Sequence, residues 1–156
     1  MNLFNPKTAA SLVTILLLTS CNKDDIVEPF NPSMIVGSTY NITGHSIEFL
    51  SEDSLIYTNT NYKDFQVNFK TKYTLQKDKL SFSGKDTIRI DYKDPITDRE
   101  HFMRYYCYGS FKGYFKKAEE LEATELKSGF NSYSEDENFV STSSNTLRGV
   151  ILRKEL

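Results

Sequence analysis

The segment that decides the fold is FQVNFKTKYTLQ at residues 65–76, in which apolar and polar side chains alternate along the chain. Aromatic, aliphatic or β-branched side chains occupy the odd positions from Phe65 to Leu75, and amide, lysine or threonine side chains occupy the even positions. A helix would scatter the apolar residues around its axis, whereas a strand places alternate residues on one face. We therefore predict a β-strand that is buried on one face and exposed to solvent on the other.

Shorter segments rich in β-branched and aromatic residues lie on both sides of this strand, and polar turns separate them. Turns are predicted at 51–54, 77–79 and 83–86, and Pro95 marks a further break because proline has no N–H for a strand ladder. Short strands at a spacing of about 8–12 residues indicate an antiparallel sandwich or barrel. The predicted strands are residues 38–43, 46–50, 55–58, 80–83, 87–92, 101–108, 110–115 and 147–153.

Two segments in the second half of the chain are harder to assign. Residues 116–128 contain many strong helix formers, but their apolar positions fit neither a helical nor a strand period well. A helix over 116–128 and a strand over 120–127 both remain open, and the strand is preferred. Residues 131–146 are rich in Ser and Asn and carry acidic side chains, so we predict a long loop.

Aromatic residues are the unusual feature of the composition, since the 156 residues include 11 Phe and 10 Tyr but no Trp. Several of them lie between Phe102 and Phe115, on both faces of the predicted strands. One face is expected to be core, and the other either packs across strands or contacts a partner. The 19 basic and 21 acidic residues are nearly balanced, so we expect no nucleic acid partner.

The first 20 residues have the pattern of a secretory signal peptide. Lys7 supplies a positive charge, and residues 9–19 (AASLVTILLLT) form an apolar run that is short beside the ~20 residues of a membrane-spanning helix. Leu18-Thr19-Ser20-Cys21 resembles the lipobox of bacterial lipoproteins. That resemblance implies that the Cys21 thiol carries a lipid anchor and that cleavage makes Cys21 the mature N-terminus. An ordinary secretory signal that ends in cysteine is the alternative.

A charged segment follows the lipobox. Lys23, Asp24 and Asp25 resemble the surface-export signal of Bacteroidota-type lipoproteins, which implies an outer-membrane protein exposed at the cell surface. The alternative is a solvated linker with ordinary charges. Residues 21–33 contain two prolines and no periodic pattern, so we predict a tether that holds a domain at residues 34–156 clear of the membrane.

The order of motifs in residues 35–92 resembles small lipocalin-like (calycin-type) lipoprotein domains. Gly37-Ser38-Thr39-Tyr40 opens a first strand, IEFLSEDSLIYT follows at 47–58, and YTLQKDKLSF follows at 73–82. The resemblance implies an antiparallel up-and-down β-barrel, or a strongly curved meander, of about eight strands.

Two functions from different classes remain open for such a barrel. In the first, its interior holds a small apolar ligand, and the candidate pocket-lining residues are Phe49, Leu55, Tyr57, Phe65, Val67, Phe69 and Tyr73. In the second, side chains fill the barrel and the protein is a surface interaction module, such as an adhesin, an inhibitor or a subunit of an envelope complex. The predicted loops at 93–100 and 131–146 are then the contact sites.

Catalytic and metal-binding patterns are weak. His45 and His101 have no second ligand at a spacing typical of a metal site, and no nucleophile elbow, P-loop or dinucleotide motif occurs. Cys107 lies between two tyrosines and is expected to be a small buried residue. We therefore expect neither an enzyme nor a cofactor.

Overall fold

The computed structural model describes residues 30–156, which form one antiparallel sheet of nine strands after a short 3₁₀ turn at Pro32–Met34. The predicted all-β antiparallel fold is confirmed. The predicted signal peptide, Cys21 and the predicted export segment at residues 23–25 lie outside the described residues. The strands are β1 (Thr39–Ile42), β2 (His45–Phe49), β3 (Ser54–Asn59), β4 (Val67–Gln76), β5 (Lys79–Lys93), β6 (Glu100–Lys117), β7 (Glu120–Ser134), β8 (Phe139–Leu147) and β9 (Val150–Lys154).

Eight of the strands close into a ring. Each strand from β1 to β7 pairs with the next one along the chain, which is the up-and-down order that was predicted. The start of β7, Glu120–Ala123, then pairs with β9, and β9 pairs with β1. The strand left over is β8, which pairs with the later part of β7.

Three long strands, β5, β6 and β7, extend past the ring of eight strands. β5, β6 and β7 have 15, 18 and 15 residues, whereas β1, β2 and β3 have 4, 5 and 6. β4 pairs with β5 only from Lys79 to Phe82, so the rest of β5 pairs with β6 alone. We call the projecting part the four-stranded extension, which consists of residues 84–93, 100–109, 126–134 and 139–147.

The predicted turn at 83–86 is wrong, and so is the break that the sequence places between 101–108 and 110–115. Both regions are strand interiors, and Gly84 is paired with Gly109 across β5 and β6. A Cβ atom at Gly84 would lie 2.2 Å from the Phe69 ring, and one at Gly109 would lie 2.7 Å from the Tyr57 ring. These glycines therefore allow two core rings to lie against the backbone, and they do not end the strands.

The second half of the chain also differs from expectation. The strand alternative for residues 120–127 is correct, and this strand continues to Ser134. The predicted loop at 131–146 is wrong, because most of it forms the β7–β8 hairpin. Seven of the nine residues of β8 are exposed, so no buried face imposes an apolar alternation on its sequence. The predicted last strand at 147–153 begins at Val150, after a turn in which Gly149 has a φ of 63°.

The start of the described chain packs against the barrel. Ile35 is completely buried, and the ring of Phe30 stacks on Phe115 with 4.3 Å between centroids. Phe30 belongs to the segment predicted as tether, so the part of that segment next to the domain lies against the barrel wall. The Tyr40 hydroxyl donates a hydrogen bond to the Ala118 carbonyl oxygen and so links β1 to the β6–β7 turn.

Candidate functional site

The barrel interior contains six of the seven residues predicted to line a pocket. Each of the six is at least nine-tenths buried, and all belong to the hydrophobic core. They are Phe49, Leu55, Tyr57, Val67, Phe69 and Tyr73. The seventh, Phe65, precedes β4 and is half-buried in a different cluster.

The aromatic rings of this interior contact one another. The Phe49 and Tyr73 centroids are 5.1 Å apart in an edge-to-face arrangement, and those of Tyr57 and Phe69 are 5.2 Å apart. On the opposite wall, the rings of Phe82 and Phe111 stack at 5.6 Å. Such spacings are those of favourable aromatic pairs in protein cores. The predicted lining residues therefore serve as packing partners for one another.

A second group of rings covers the inner side of the extension. We call Tyr62, Phe65, Tyr105 and Phe130 the inner aromatic cluster. Phe65 lies 4.5 Å from Tyr105 and 5.3 Å from Phe130, centroid to centroid, and Tyr62 lies 5.1 Å from Phe130. Since Tyr62 and Phe65 belong to the β3–β4 connection, that connection closes the inner side of the extension.

The opposite side of the extension carries aromatic residues that no described segment covers. We call Phe102, Tyr106, Tyr108, Tyr133 and Phe139 the outer aromatic face. Tyr106 is 44% and Phe139 is 59% exposed, and Tyr133 makes edge-to-face contacts with both, at 5.4 and 5.8 Å. Contiguous apolar patches larger than a few hundred Å² are typical of interaction sites, whereas single exposed apolar residues are common on protein surfaces.

Arginine side chains border this face. Arg89 and Arg104 are directly opposite each other on β5 and β6, and both guanidinium groups lie over the Phe102 ring, at 3.9 and 5.1 Å from its centroid. Asp91 accepts a hydrogen bond from Arg89 at 2.7 Å, and Glu137 accepts one from Arg104 at 2.9 Å. These carboxylates offset the repulsion between the two cations.

A shallow groove crosses the same face. Its volume is about 390 Å³, and it is lined by Arg104, Tyr106, Asn131, Tyr133 and Glu137. The lining combines two aromatic faces with charged and amide groups that donate and accept hydrogen bonds. Aromatic residues and arginine are the types enriched at protein interfaces.

Sequence reasoning found part of this face. It placed aromatic residues on both sides of the strand around Tyr105 and Tyr106, and the structure confirms that Tyr105 points inward and Tyr106 outward. It missed Tyr133 and Phe139, because it assigned residues 131–146 to a loop. Residues 128–134 carry no apolar alternation that predicts a strand, because small polar residues, Ser128 and Ser132, occupy buried positions there.

A polar network, buried except for the exposed Asn61, lies at one end of the barrel. The Asn61 amide nitrogen is 3.0 Å from His45 Nε2, and His45 Nδ1 is 2.8 Å from the Tyr57 hydroxyl oxygen. With the Asn61 amide donating to Nε2, a neutral His45 carries its proton on Nδ1 and donates it to Tyr57. Next to this pair, the Asn59 amide donates to Ser128 Oγ at 3.0 Å. The network fixes the β2–β3 pair against β7.

His45 should make the stability of the domain depend on pH. Burial lowers the pKa of its imidazole below the ordinary 6.5. As the pH falls below 6.5 the unfolded chain takes up a proton and the folded chain does not, so the free energy of unfolding decreases by up to about 1.4 kcal/mol per pH unit. We expect His45→Gln to flatten this part of the curve in chemical denaturation between pH 7 and pH 5.

The control for this prediction is His101→Gln, which removes a surface histidine that pairs with Glu135 at 3.0 Å. It should leave the His45-dependent slope in place. Equal slopes for His45→Gln and the parent protein would contradict the prediction.

Among residues 30–156, the remaining titratable and nucleophilic groups form no second site. Cys107 is buried, and burial, with a smaller contribution from Asp86, raises the pKa of its thiol to about 11, so the thiol is unreactive near neutral pH. Within residues 30–156, no group of three or more His, Cys, Asp or Glu side chains could hold a metal ion. No helix in that part of the chain is long and apolar enough to cross a membrane.

No family model, curated protein or solved structure matches this chain. The resemblance to lipocalin-like lipoprotein domains therefore stays a prediction.

Proposed function

We propose that this chain is an outer-membrane lipoprotein, anchored through Cys21 and exposed at the cell surface, whose barrel domain is an interaction module for another envelope protein. The observation that carries the proposal is the outer aromatic face. It presents Tyr106 and Phe139 to solvent on the extension, while the β3–β4 connection covers the opposite side.

The anchor is proposed from the sequence. Leu18-Thr19-Ser20-Cys21 supplies the pattern for lipidation, and Lys23, Asp24 and Asp25 supply the pattern for export to the surface. Each acyl CH₂ group buried in the bilayer contributes about 0.8 kcal/mol, and more than one chain gives stable attachment. Eight residues, 22–29, lie between Cys21 and Phe30, the first described residue, whose ring packs on the barrel.

Packing supports an interaction module over a carrier of small apolar ligands. Phe49, Tyr57 and Phe69, which a carrier would use to contact its ligand, contact neighbouring core rings at 5–6 Å. Side chains commonly fill the interior of eight-stranded barrels. The polar groups that line the groove beside Tyr106 lie outside the barrel, where a macromolecule can reach them.

The test is recovery of envelope proteins by the tagged full chain after mild cross-linking in its own host. We expect Tyr106→Ser and Phe139→Ser each to reduce recovery of the partner about tenfold, because aromatic residues at the centre of an interface commonly contribute more than ~1.4 kcal/mol to binding. Both residues are exposed, so the thermal stability of the domain should change little.

The matched control is Ile96→Ser, which removes a 92% exposed side chain from the β5–β6 turn at the end of the extension. It should leave recovery unchanged. The proposal fails if the parent chain recovers no envelope protein, or if Ile96→Ser reduces recovery as strongly as the two aromatic substitutions.

A further inference from the structure

The two lateral edges of the four-stranded extension differ in charge. One edge is residues 84–93 of β5, where five of ten residues are charged: Lys85, Asp86, Arg89, Asp91 and Lys93. The other edge is β8, FVSTSSNTL, which has neither a charged residue nor a proline. Charged side chains on an edge strand discourage pairing with another chain. The β5 edge is therefore protected against strand addition, and the β8 edge is not.

β8 is a complete strand that offers this edge to solvent. It pairs with β7 from Phe139 to Leu147, and no other described strand pairs with it. Seven of its nine residues are exposed, with Phe139 at 59% and Val140 at 50%. In an antiparallel pair, alternate N–H and C=O groups point away from the existing partner, so β8 can accept a further strand.

We infer that β8 is the pairing edge for a second copy of this chain, in an antiparallel β8–β8 pair about a two-fold axis at Ser143. This arrangement places Val140 opposite Thr146 of the second copy, a pair of β-branched residues of the kind that stabilises antiparallel strands. No like charges meet along the pair, because β8 has no charged side chain. The two extensions then form one continuous sheet of eight strands.

Charge complementarity selects the antiparallel direction. The β7–β8 turn carries three exposed acidic residues, Glu135, Asp136 and Glu137, of which Glu135 pairs with His101 and Glu137 with Arg104 within the chain. Arg148 follows β8, and its side chain is 72% exposed although it lies 3.5 Å from Glu125. In the antiparallel pair, the acidic turn of one copy lies beside Arg148 of the other copy, and this happens twice. A parallel pair would bring the two acidic turns together, which costs energy. A two-fold axis makes the contact self-complementary.

The fraction of chains that pair through β8 depends on their local concentration. Two nine-residue strands make a small contact beside the ~800 Å² per partner of a typical stable complex, so association in dilute solution should be weak. Confinement of copies at one membrane surface would raise their effective concentration. The β8 edge belongs to the fold of the extension, whereas the enrichment of copies at a membrane rests on the proposed lipid anchor. Phe139 is the residue that β8 shares with the outer aromatic face.

The experiment is disulfide cross-linking of the full chain in envelope membranes from its host. Ser143→Cys puts two thiols at the two-fold axis, where Cα atoms of facing residues are about 4.5–5.5 Å apart, within the range for a disulfide. After mild oxidation, we expect a covalent homodimer on a non-reducing gel at about ten times the level of the parent chain. The parent accounts for any background from Cys21 and Cys107. Thr87→Cys, on the charged β5 edge, should stay at that background.

Charge reversal tests the direction and the register. In the Ser143→Cys background, we expect Arg148→Glu to reduce the cross-linked fraction about threefold or more, and addition of Glu137→Lys to restore it. The inference is overturned if Ser143→Cys cross-links no better than Thr87→Cys, if the product contains a different protein, or if the double charge reversal restores nothing. Glu137 also lines the groove of the outer aromatic face, so that proposal is tested separately by Tyr106→Ser, at a residue of β6 that is not part of the β8 edge.

Discussion

Replacement of Phe49 by alanine is expected to lower the free energy of unfolding by about 3–5 kcal/mol, as for other large aromatic side chains removed from well-packed cores. The Phe49 ring is completely buried and contacts Tyr40, Tyr73 and Phe115, with centroid separations of 5.8, 5.1 and 6.1 Å. The substitution removes these contacts and leaves a cavity that the surrounding strands cannot fully close. Since small domains are stable by about 5–15 kcal/mol, the loss would be a large part of the total.

Equilibrium denaturation in urea measures this loss as a shift of the midpoint at constant slope. The matched control is Phe139→Ala, which removes the same side chain from an exposed position on β8 and should change stability by no more than ~0.5 kcal/mol. A loss below about 1 kcal/mol at Phe49 would show that its ring does not pack as described. That result would favour a barrel whose interior is completed by a ligand.

Replacement of Cys21 by alanine is expected to move essentially all of the protein from the membrane fraction to the soluble fraction. If Cys21 carries the lipid, its thiol sulfur is the atom that bears the diacylglycerol, and alanine has no atom to replace it. The two acyl chains supply nearly all of the membrane affinity in this proposal, at about 0.8 kcal/mol per buried CH₂ group. Fractionation of cells followed by immunoblotting measures the distribution.

The control for this prediction is Cys107→Ala, which removes the buried thiol of β6 and leaves the lipobox intact. It should keep the protein in the membrane. Protease added to intact cells then reports surface display, because a domain exposed at the surface is accessible and a periplasmic one is not. Membrane retention of Cys21→Ala at the level of the parent protein would rule out the proposed anchor.

The local sequence pattern was sufficient to predict a strand that has one buried face and one face exposed to solvent. β4 was predicted from residues 65–76 and begins at Val67, and its alternate residues Val67, Phe69 and Tyr73 are buried as expected. The prediction was also right that Cys107 is a buried residue. In each case the neighbours along the chain carry the information, because burial alternates with period two.

The local sequence pattern gave wrong predictions where contacts with distant parts of the chain determine the secondary structure. Gly84 looked like a turn residue, yet it lies within β5 and pairs with Gly109 of β6, and its missing Cβ leaves room for the Phe69 ring. Residues 131–146 looked like a loop, yet they are held in a hairpin by backbone pairing with β7. The residues that meet on the outer aromatic face come from β6, β7 and β8, and no spacing within any one of these strands predicts their contact.

The sequence by itself determined that the domain is an antiparallel β protein, because alternation and short polar turns are local properties. It also supplied the whole case for a lipid anchor at Cys21, which lies outside the described residues. Only the tertiary structure decided which strands run past the ring and which face of the extension remains uncovered. It also decided that an uncharged β8 forms an open edge. These features depend on pairing between residues far apart in the chain, such as Tyr106 with Asn131 and Glu122 with Ile151, which sequence periodicity does not record.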